Sequence, residues 1–294
     1  MSTETDATAQ FQAFVADPRR RRDEYPAMVE QYFALVGDVY RHGWGPSQHM
    51  ACYLPGQSRE EATEAHEKDL ADRAGLTADS FVLDLCSGVG GPACTIAAHT
   101  GARVTGIDLV ADRVREAQDN ARERGLDGRA SFRVADATSL PFDDSLFTAA
   151  YSFDALCHVP DKPRAHREVA RVLRPGAVWT GYDWMRAPGP WADEAAEAIC
   201  RAHGLSALAT VDELRSALTA AGFTEIHVSD GQDIGDWAPN WDLLEKLVAE
   251  LPPRDELPPL LRMMTDGARA MCEGARSGAF FIGYWHARRP QEGP

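Results

Sequence analysis

Apolar residues along the chain follow two periods. Phe81–Leu85 is almost continuously apolar, as a strand buried on both faces requires. Arg103–Asp108, Ser131–Val134, Phe147–Ser152 and Ala177–Tyr182 read as further strands. Between and after them lie segments of helical spacing: Gly91–His99, Ala111–Arg124, Lys162–Leu173, and one or two more between Trp191 and Gly222. Regular alternation of strand and helix predicts a parallel sheet with helices on both faces.

Phe223–Ser229 reads as a sixth strand and Ala279–Ala287 (AFFIGYWHA) as a seventh. The expected fold is α/β: a Rossmann-like seven-stranded sheet, mostly parallel with the last strand antiparallel, preceded by a helical segment. About fifty residues separate the last two strands, and they contain Trp237, Trp241 and two Pro-Pro pairs. A hairpin needs only a few residues, so a helical lid or substrate wall is expected at about 230–278. Its apolar residues, with those opening the last strand (Trp237, Trp241, Leu243, Leu244, Leu247, Met263, Met264, Phe280, Phe281), suggest either a pocket or simple core.

At the other end, residues 1–10 are polar and expected to be disordered. Helical spacing from Phe11 to Val39 predicts helices ending near Gly37 or Tyr40. Residues 41–57 carry too much Gly and Pro for regular structure and read as an aromatic-rich loop. Arg59–Ala74 reads as a charged helix stopped by Gly75. Two units follow: residues 1–75 as a helical segment and loop closing over a ligand, and residues 76–294 as the ligand-binding domain.

A length of 294 residues with 44% hydrophobic content suffices for one large α/β domain. The net charge of −15 argues against nucleic acid, which clustered Lys and Arg would bind. The one basic run, Arg19–Arg22, reads as a solvated helix end. Six scattered cysteines without a C-x-x-C pair, and histidines without ligand spacing, imply reduced thiols and no metal site. No signal region or apolar run long enough to span a bilayer is present, so a cytoplasmic protein without membrane insertion is expected. The N-terminal helices can pack on their own domain or on a second copy, leaving a homo-oligomer open.

The chemistry concentrates in FVLDLCSGVGGPAC, residues 81–94. A buried strand runs into a glycine turn and a helix N-terminus, which brings backbone N–H groups close to a ligand. Gly88-Val-Gly90-Gly91-Pro-Ala93 also fits the relaxed dinucleotide pattern. Asp84, four residues before Gly88, favours another ligand. An acid there repels pyrophosphate but suits the ammonium and sulfonium of S-adenosylmethionine (SAM). Asp108 ends the second strand in VTGIDL, where a carboxylate can accept both ribose hydroxyls and Leu109 follows it. Asp136 follows the third strand, where it can receive an adenine amino group while Ala137 presents its N–H. Three carboxylates then lie along one sheet edge, where open α/β sheets bind ligands.

YSFDALCHVP follows the fourth strand, so its backbone, from Phe153 onward, should pass beside the reacting group. Asp154 and His158 are four apart and would share a helical face. His158 can serve as a base and Asp154 can orient it or stabilise a cation; a capping Asp and a packed His are the alternative. Cys157 reads as a small buried residue.

The chain resembles class I SAM-dependent methyltransferases, and within them the sterol C-methyltransferase group and its small-molecule relatives. HGWGPSQHMA with PGQSREEATEAHEKDL, LDLCSGVGGPA, and FDALCHVPD with EVARVLRPGAVWTGYDW carry the likeness, from about residue 30 to 185. Ser87 departs from that group's usual Gly or Cys-Gly, and Asp154 stands where its sterol enzymes tend to carry a glutamate. The resemblance implies that Asp84, Gly88 and Gly90 hold the methionine part of SAM, Asp108 the ribose, and Asp136 with Ala137 the adenine. It also implies that Tyr40 and Trp44 close over the methyl donor. The expected activity is methyl transfer to a small hydrophobic acceptor, with S-adenosylhomocysteine as product and carbon as the favoured target. Tyr40, Trp44, Tyr182, Trp184 and Asp154 would stabilise a carbocation, and His158 would remove a proton. O- or N-methylation, a non-methylating cyclase or binding protein on the same fold, and an NAD-dependent oxidoreductase remain alternatives.

Overall fold

The structure is a computed structural model that describes residues 2–291, with side chains from Thr5 onward. In chain order, four helices come first: α1 (Ser2–Val15), α2 (Pro18–Asp23), α3 (Tyr25–Trp44) and α4 (Arg59–Arg73). The alternating part follows as β1 (Phe81–Leu85), α5 (Gly91–Thr100), β2 (Arg103–Asp108), α6 (Ala111–Glu123), β3 (Ala130–Val134), β4 (Phe147–Phe153), α7 (Lys162–Val172) and β5 (Leu173–Arg186). The chain closes with α8 (Asp193–His203), α9 (Val211–Ala220), β6 (Thr224–Ser229), α10 (Ala238–Ala249), α11 (Pro259–Ser277) and β7 (Phe280–Arg288). Among the described residues, no helix is long and apolar enough to cross a membrane.

The seven strands form one sheet in the order β3-β2-β1-β4-β5-β7-β6. Pairs from β3 through β5 are parallel, while β7 runs antiparallel to both β5 and β6. Side-chain alternation along β1 divides the core. Val82 packs with Ile96, Ala117 and Ile199 on one face; Leu83 and Leu85 pack with Val169, Leu214 and Leu218 on the other. Asp84 therefore shares its face with Val82, under α5 and α6. Chain order reverses between β1 and β4, so the crevice for a ligand opens beyond the carboxyl ends of these strands.

The N-terminal region departs from expectation. Residues 2–15 are helical rather than disordered, because Phe11, Phe14 and Val15 bury against Tyr32 and Met28 of α3 and Met263 of α11. Met1 lies outside the described residues. Helix α3 runs on to Trp44, past the expected end and into the expected loop. Tyr32, Val36, Tyr40 and Trp44 recur every fourth residue, which keeps one face against the core. Gly45, at φ 69°, ends it. Helix α4 starts with a capping box in which Ser58 and Glu61 satisfy each other's backbone. The loop between α3 and α4 is pinned to the start of α10: Tyr53 N donates to Asp236 O at 2.8 Å, and the Asn240 amide exchanges two hydrogen bonds with the Ala51 backbone.

The basic run is not wholly solvated. Arg21 is 1% exposed, donates to Val15 O at 2.6 Å, and pairs in a fork with both oxygens of Glu197 on α8. Glu197→Gln leaves this guanidinium buried without its counter-charge. It is expected to lower stability by about 2 kcal/mol, somewhat below the cost at a fully buried pair because Glu197 itself is half-exposed. Urea unfolding of the two proteins measures the difference.

Candidate active site

One cavity of about 420 Å³ runs from the glycine turn after β1 to the inner faces of α3, α10 and α11. Its polar end is formed by Asp84, Gly88, Asp108 and Leu109. Its middle is aromatic: Tyr40, Trp44, Phe153 and Trp184, with His49, Asp154 and His158. Its far wall is aliphatic: Leu243, Leu244, Leu247, Val248, Leu261 and Met264.

At the polar end, Asp84 is 2% exposed and its Oδ2 has no hydrogen-bond partner. Burial pushes its carboxyl up to about 8, against a smaller lowering from the Tyr151 hydroxyl facing it; the negative Asp108 and Glu67 raise it further. An acid placed this way lacks one component, a cation with N–H donors, and an ammonium group supplies both. Asp108 already accepts backbone bonds from Gly88 N and Val110 N, each at 2.9 Å, which fixes its carboxylate beside the turn. Gly88 lies at φ 56°, and a side chain there would meet the Arg113 guanidinium at 2.5 Å. Arg113 lies over the Phe33 ring at 3.9 Å and reaches within 4.0 Å of Asp108. The cavity end thus suits an adenosine-bearing ligand with a cationic tail.

Two residues expected at this end do not line the cavity. Gly90 caps α5 at φ 82°, and its Cα faces Phe132 and Ala117, so its small size serves packing. Asp136 turns back on its own loop, accepting from Thr138 N and Oγ1 at 2.7 Å each, while Ala135 and Ala137 present the wall. Tyr182 stacks behind Phe153 rather than entering the cavity.

Asp154 and His158 both reach the cavity, but not on one helical face. Asp154 adopts φ 46° and is followed by a single 3₁₀ turn, Leu156–His158. The left-handed residue breaks any helix between them. Asp154 therefore does not orient His158. Its Oδ2 accepts Met50 N at 2.7 Å, while its Oδ1 is buried without a partner, close to the equally unpaired Trp184 Nε1. Burial holds its carboxyl above the usual range. His158 is oriented by Gly204 instead: Nδ1 donates to that carbonyl at 3.2 Å, which leaves Nε2 as the bare nitrogen. Burial lowers His158 to about 3, so the ring is neutral throughout the physiological range.

Sequence reading missed His49, Glu67, Arg113, Tyr32 and Phe33. His49 stacks on Phe153 at 4.5 Å and holds Met50 O and the buried Glu67 carboxylate through its two nitrogens. The only sequence signal was its place in HGWGPSQHMA. Arg113 sits in a charged helix face with nothing to mark it. Of the apolar residues suggested for a pocket, Leu243, Leu244, Leu247 and Met264 line it, whereas Trp237, Met263 and Phe280 belong to the core.

Comparison with known proteins agrees with this geometry. Residues 82–176 match the methyltransferase domain family. That segment of the chain carries a methyltransferase domain. Over 229 residues the chain is 37% identical to 24-methylenesterol C-methyltransferase 2 of Oryza sativa, covering 74% of the present chain and 63% of that protein. It is 34% identical to sterol 24-C-methyltransferase erg-4 of Neurospora crassa, covering 76% and 60%. The chain thus spans about three fifths of the length of these relatives. Among solved structures, the [4+2]-cyclase SpnF superposes with a TM-score of 0.74 at 25% identity, covering 91% of this chain and 97% of that one. Geranyl diphosphate C-methyltransferase of Streptomyces coelicolor A3(2) shares the fold, with a TM-score of 0.71 at 20% identity over 90% and 97% of the chains.

The raised Asp84 carboxyl has a stability consequence for the ligand-free protein. Its folded value near 8 exceeds the ordinary 3.8, so stability is lost as pH rises from about 4 and the loss saturates above about 8. Asp84→Asn escapes this penalty. The variant is expected to be more stable than wild type at pH 8, by up to a few kcal/mol, with the difference vanishing toward pH 4. Thermal melts across that range read it.

Proposed function

We propose that this protein transfers a methyl group from SAM to a carbon atom of a small hydrophobic acceptor. The observation that carries the reading is the continuity of one cavity: an uncompensated buried acid at the glycine turn opens directly onto an aromatic and aliphatic chamber. The likeness to sterol C-methyltransferases supports it. SAM, when bound, supplies an electrophilic methyl group and leaves as S-adenosylhomocysteine. Asp84 would hold its ammonium and Asp108 its ribose, with Leu109 and Ala137 against the adenine. Gly88 would let the backbone approach, while Asp136 and Gly90 support that wall from behind. Residues 1–75 would close the site from one side and the α10–α11 insertion from the other.

The acceptor half selects for carbon chemistry. Aliphatic side chains of α10 and α11 exclude water and align an apolar substrate, and alignment supplies most of the rate in a displacement at methyl. Addition to an alkene leaves positive charge on the neighbouring carbon. The faces of Tyr40, Trp44 and Trp184 attract that charge, and the Asp154 carboxyl lies in the same wall. His158 Nε2 then accepts the proton that restores the double bond. A carbocation is acidic enough to yield its proton even to a weakly basic, neutral imidazole. A second reading, a cyclase or binding protein that no longer transfers methyl, draws support from the near full-length likeness to SpnF.

Incubation with methyl-labelled SAM and a panel of uncharged terpenes, sterols and phenols is expected to place the label on carbon. Label on oxygen or nitrogen defeats the carbon assignment, and bound S-adenosylhomocysteine with no turnover favours the second reading. His158→Ala is expected to lower kcat at least about tenfold while SAM affinity stays within about twofold of wild type. Because His158 is neutral down to about 3, the kcat profile of the wild type should show no step from this residue between pH 5 and 8.

A further inference from the structure

Helix α3 presents two tyrosines that the proposed reaction uses only in part. The Tyr40 and Tyr32 hydroxyls lie 3.0 Å apart, and the Tyr32 hydroxyl lies 3.1 Å from His203 Nδ1 on α8. Tyr40, Tyr32 and His203 all border the cavity, and Tyr32 is 2% exposed. The three groups form a hydrogen-bonded chain within the cavity wall, from α3 to α8.

The far end sets its direction. His203 Nε2 is buried and has no well-aligned partner; the polar group it faces is the backbone carbonyl of Gly267 on α11. A Cβ at Gly267 would stand 2.8 Å from that nitrogen, so the ring packs directly on the backbone. A carbonyl cannot donate, and a bare nitrogen against it would be repelled, so the proton sits on Nε2 and Nδ1 is the acceptor. Tyr32 then donates to Nδ1 and its oxygen accepts from Tyr40. Burial lowers His203 to about 4, which preserves this order around neutral pH. The Tyr40 hydrogen is then committed to Tyr32, and its oxygen lone pairs are left for a ligand in the cavity.

We propose that Tyr32 and His203 are positioning residues that aim the Tyr40 oxygen into the cavity, so that the site prefers a cationic sulfonium to a neutral thioether. This rests on the SAM reading above. A lone pair attracts a sulfonium methyl through C–H···O contact, whereas a phenol hydrogen turned inward would oppose the charge.

The test needs no acceptor. Dissociation constants for SAM and for S-adenosylhomocysteine are measured by calorimetry on wild type, Tyr40→Phe, Tyr32→Phe and the double variant. Tyr32→Phe keeps its ring and is expected to weaken SAM about fivefold while S-adenosylhomocysteine stays within about twofold. The double variant should be no weaker than Tyr40→Phe alone, since both act through one oxygen. His203→Leu should reproduce the loss and His203→Asn, which restores an acceptor, should rescue it; this pair carries the test if Tyr32→Phe does not fold. Both ligands binding with an unchanged ratio in Tyr32→Phe, or additive losses in the double variant, overturn the proposal alone. A wild type that binds neither ligand overturns the SAM reading and this proposal with it.

Discussion

A carboxyl group buried at the end of the central strand, with no cation of the protein beside it, is the constraint on which the site turns. Asp84 could be tolerated as a neutral acid, and burial drives it that way. The neighbouring elements nevertheless leave its Oδ2 without a hydrogen-bond partner at the cavity wall. The turn that follows places Gly88 and Asp108 against each other through a backbone hydrogen bond, so the polar end is rigid before any ligand arrives. Leaving the charge problem unsolved in the protein makes the ligand its solution. Binding energy is gained where folding energy was withheld.

The same arrangement recurs further along the cavity. Asp154 is held by the Met50 amide in a left-handed conformation that only a well-determined surrounding sustains, and its second oxygen is again unpaired. The Met50 segment is in turn clamped by His49, Glu67 and Asn240, drawn from the loop, α4 and α10. The strain at Asp154 is thus supported by three separate elements. His158 and His203 contrast with these acids. Both are buried and neutral, and each is given a defined tautomer by a backbone carbonyl. Acids with an unpaired buried oxygen and neutral histidines with assigned protons thus sit along one cavity.

The helical additions determine what the sheet edge can act on. α1 and α3 pack on α11, so the wall over the cofactor end and the wall over the acceptor end belong to one apolar cluster. Arg21, paired with Glu197, ties the same N-terminal layer to α8. The α3 and α11 walls of the cavity are therefore packed against one another.

Strand positions, the sheet's parallel character with an antiparallel final strand, and the acids at three strand ends were legible from the chain alone. Each depends on local chemistry: continuous apolar runs, glycines at a tight turn, and a carboxylate next to it. The sequence likewise pointed to Asp154, His158, Tyr40 and Trp44, which all reach the cavity. Only the tertiary structure decided how they work. Helix α1 forms because of partners more than two hundred residues away in α11. Asp136 and Gly90 sit behind the cavity wall, Asp136 Oδ1 bonding Thr138 and Gly90 packing on Phe132 and Ala117. Asp154 and His158 separate because one residue enters the left-handed region. His49, Arg113 and the Tyr40–Tyr32–His203 chain join the site from segments with no distinguishing pattern. Proton position and pairing depend on which groups meet across the fold, and sequence spacing along one element does not encode that.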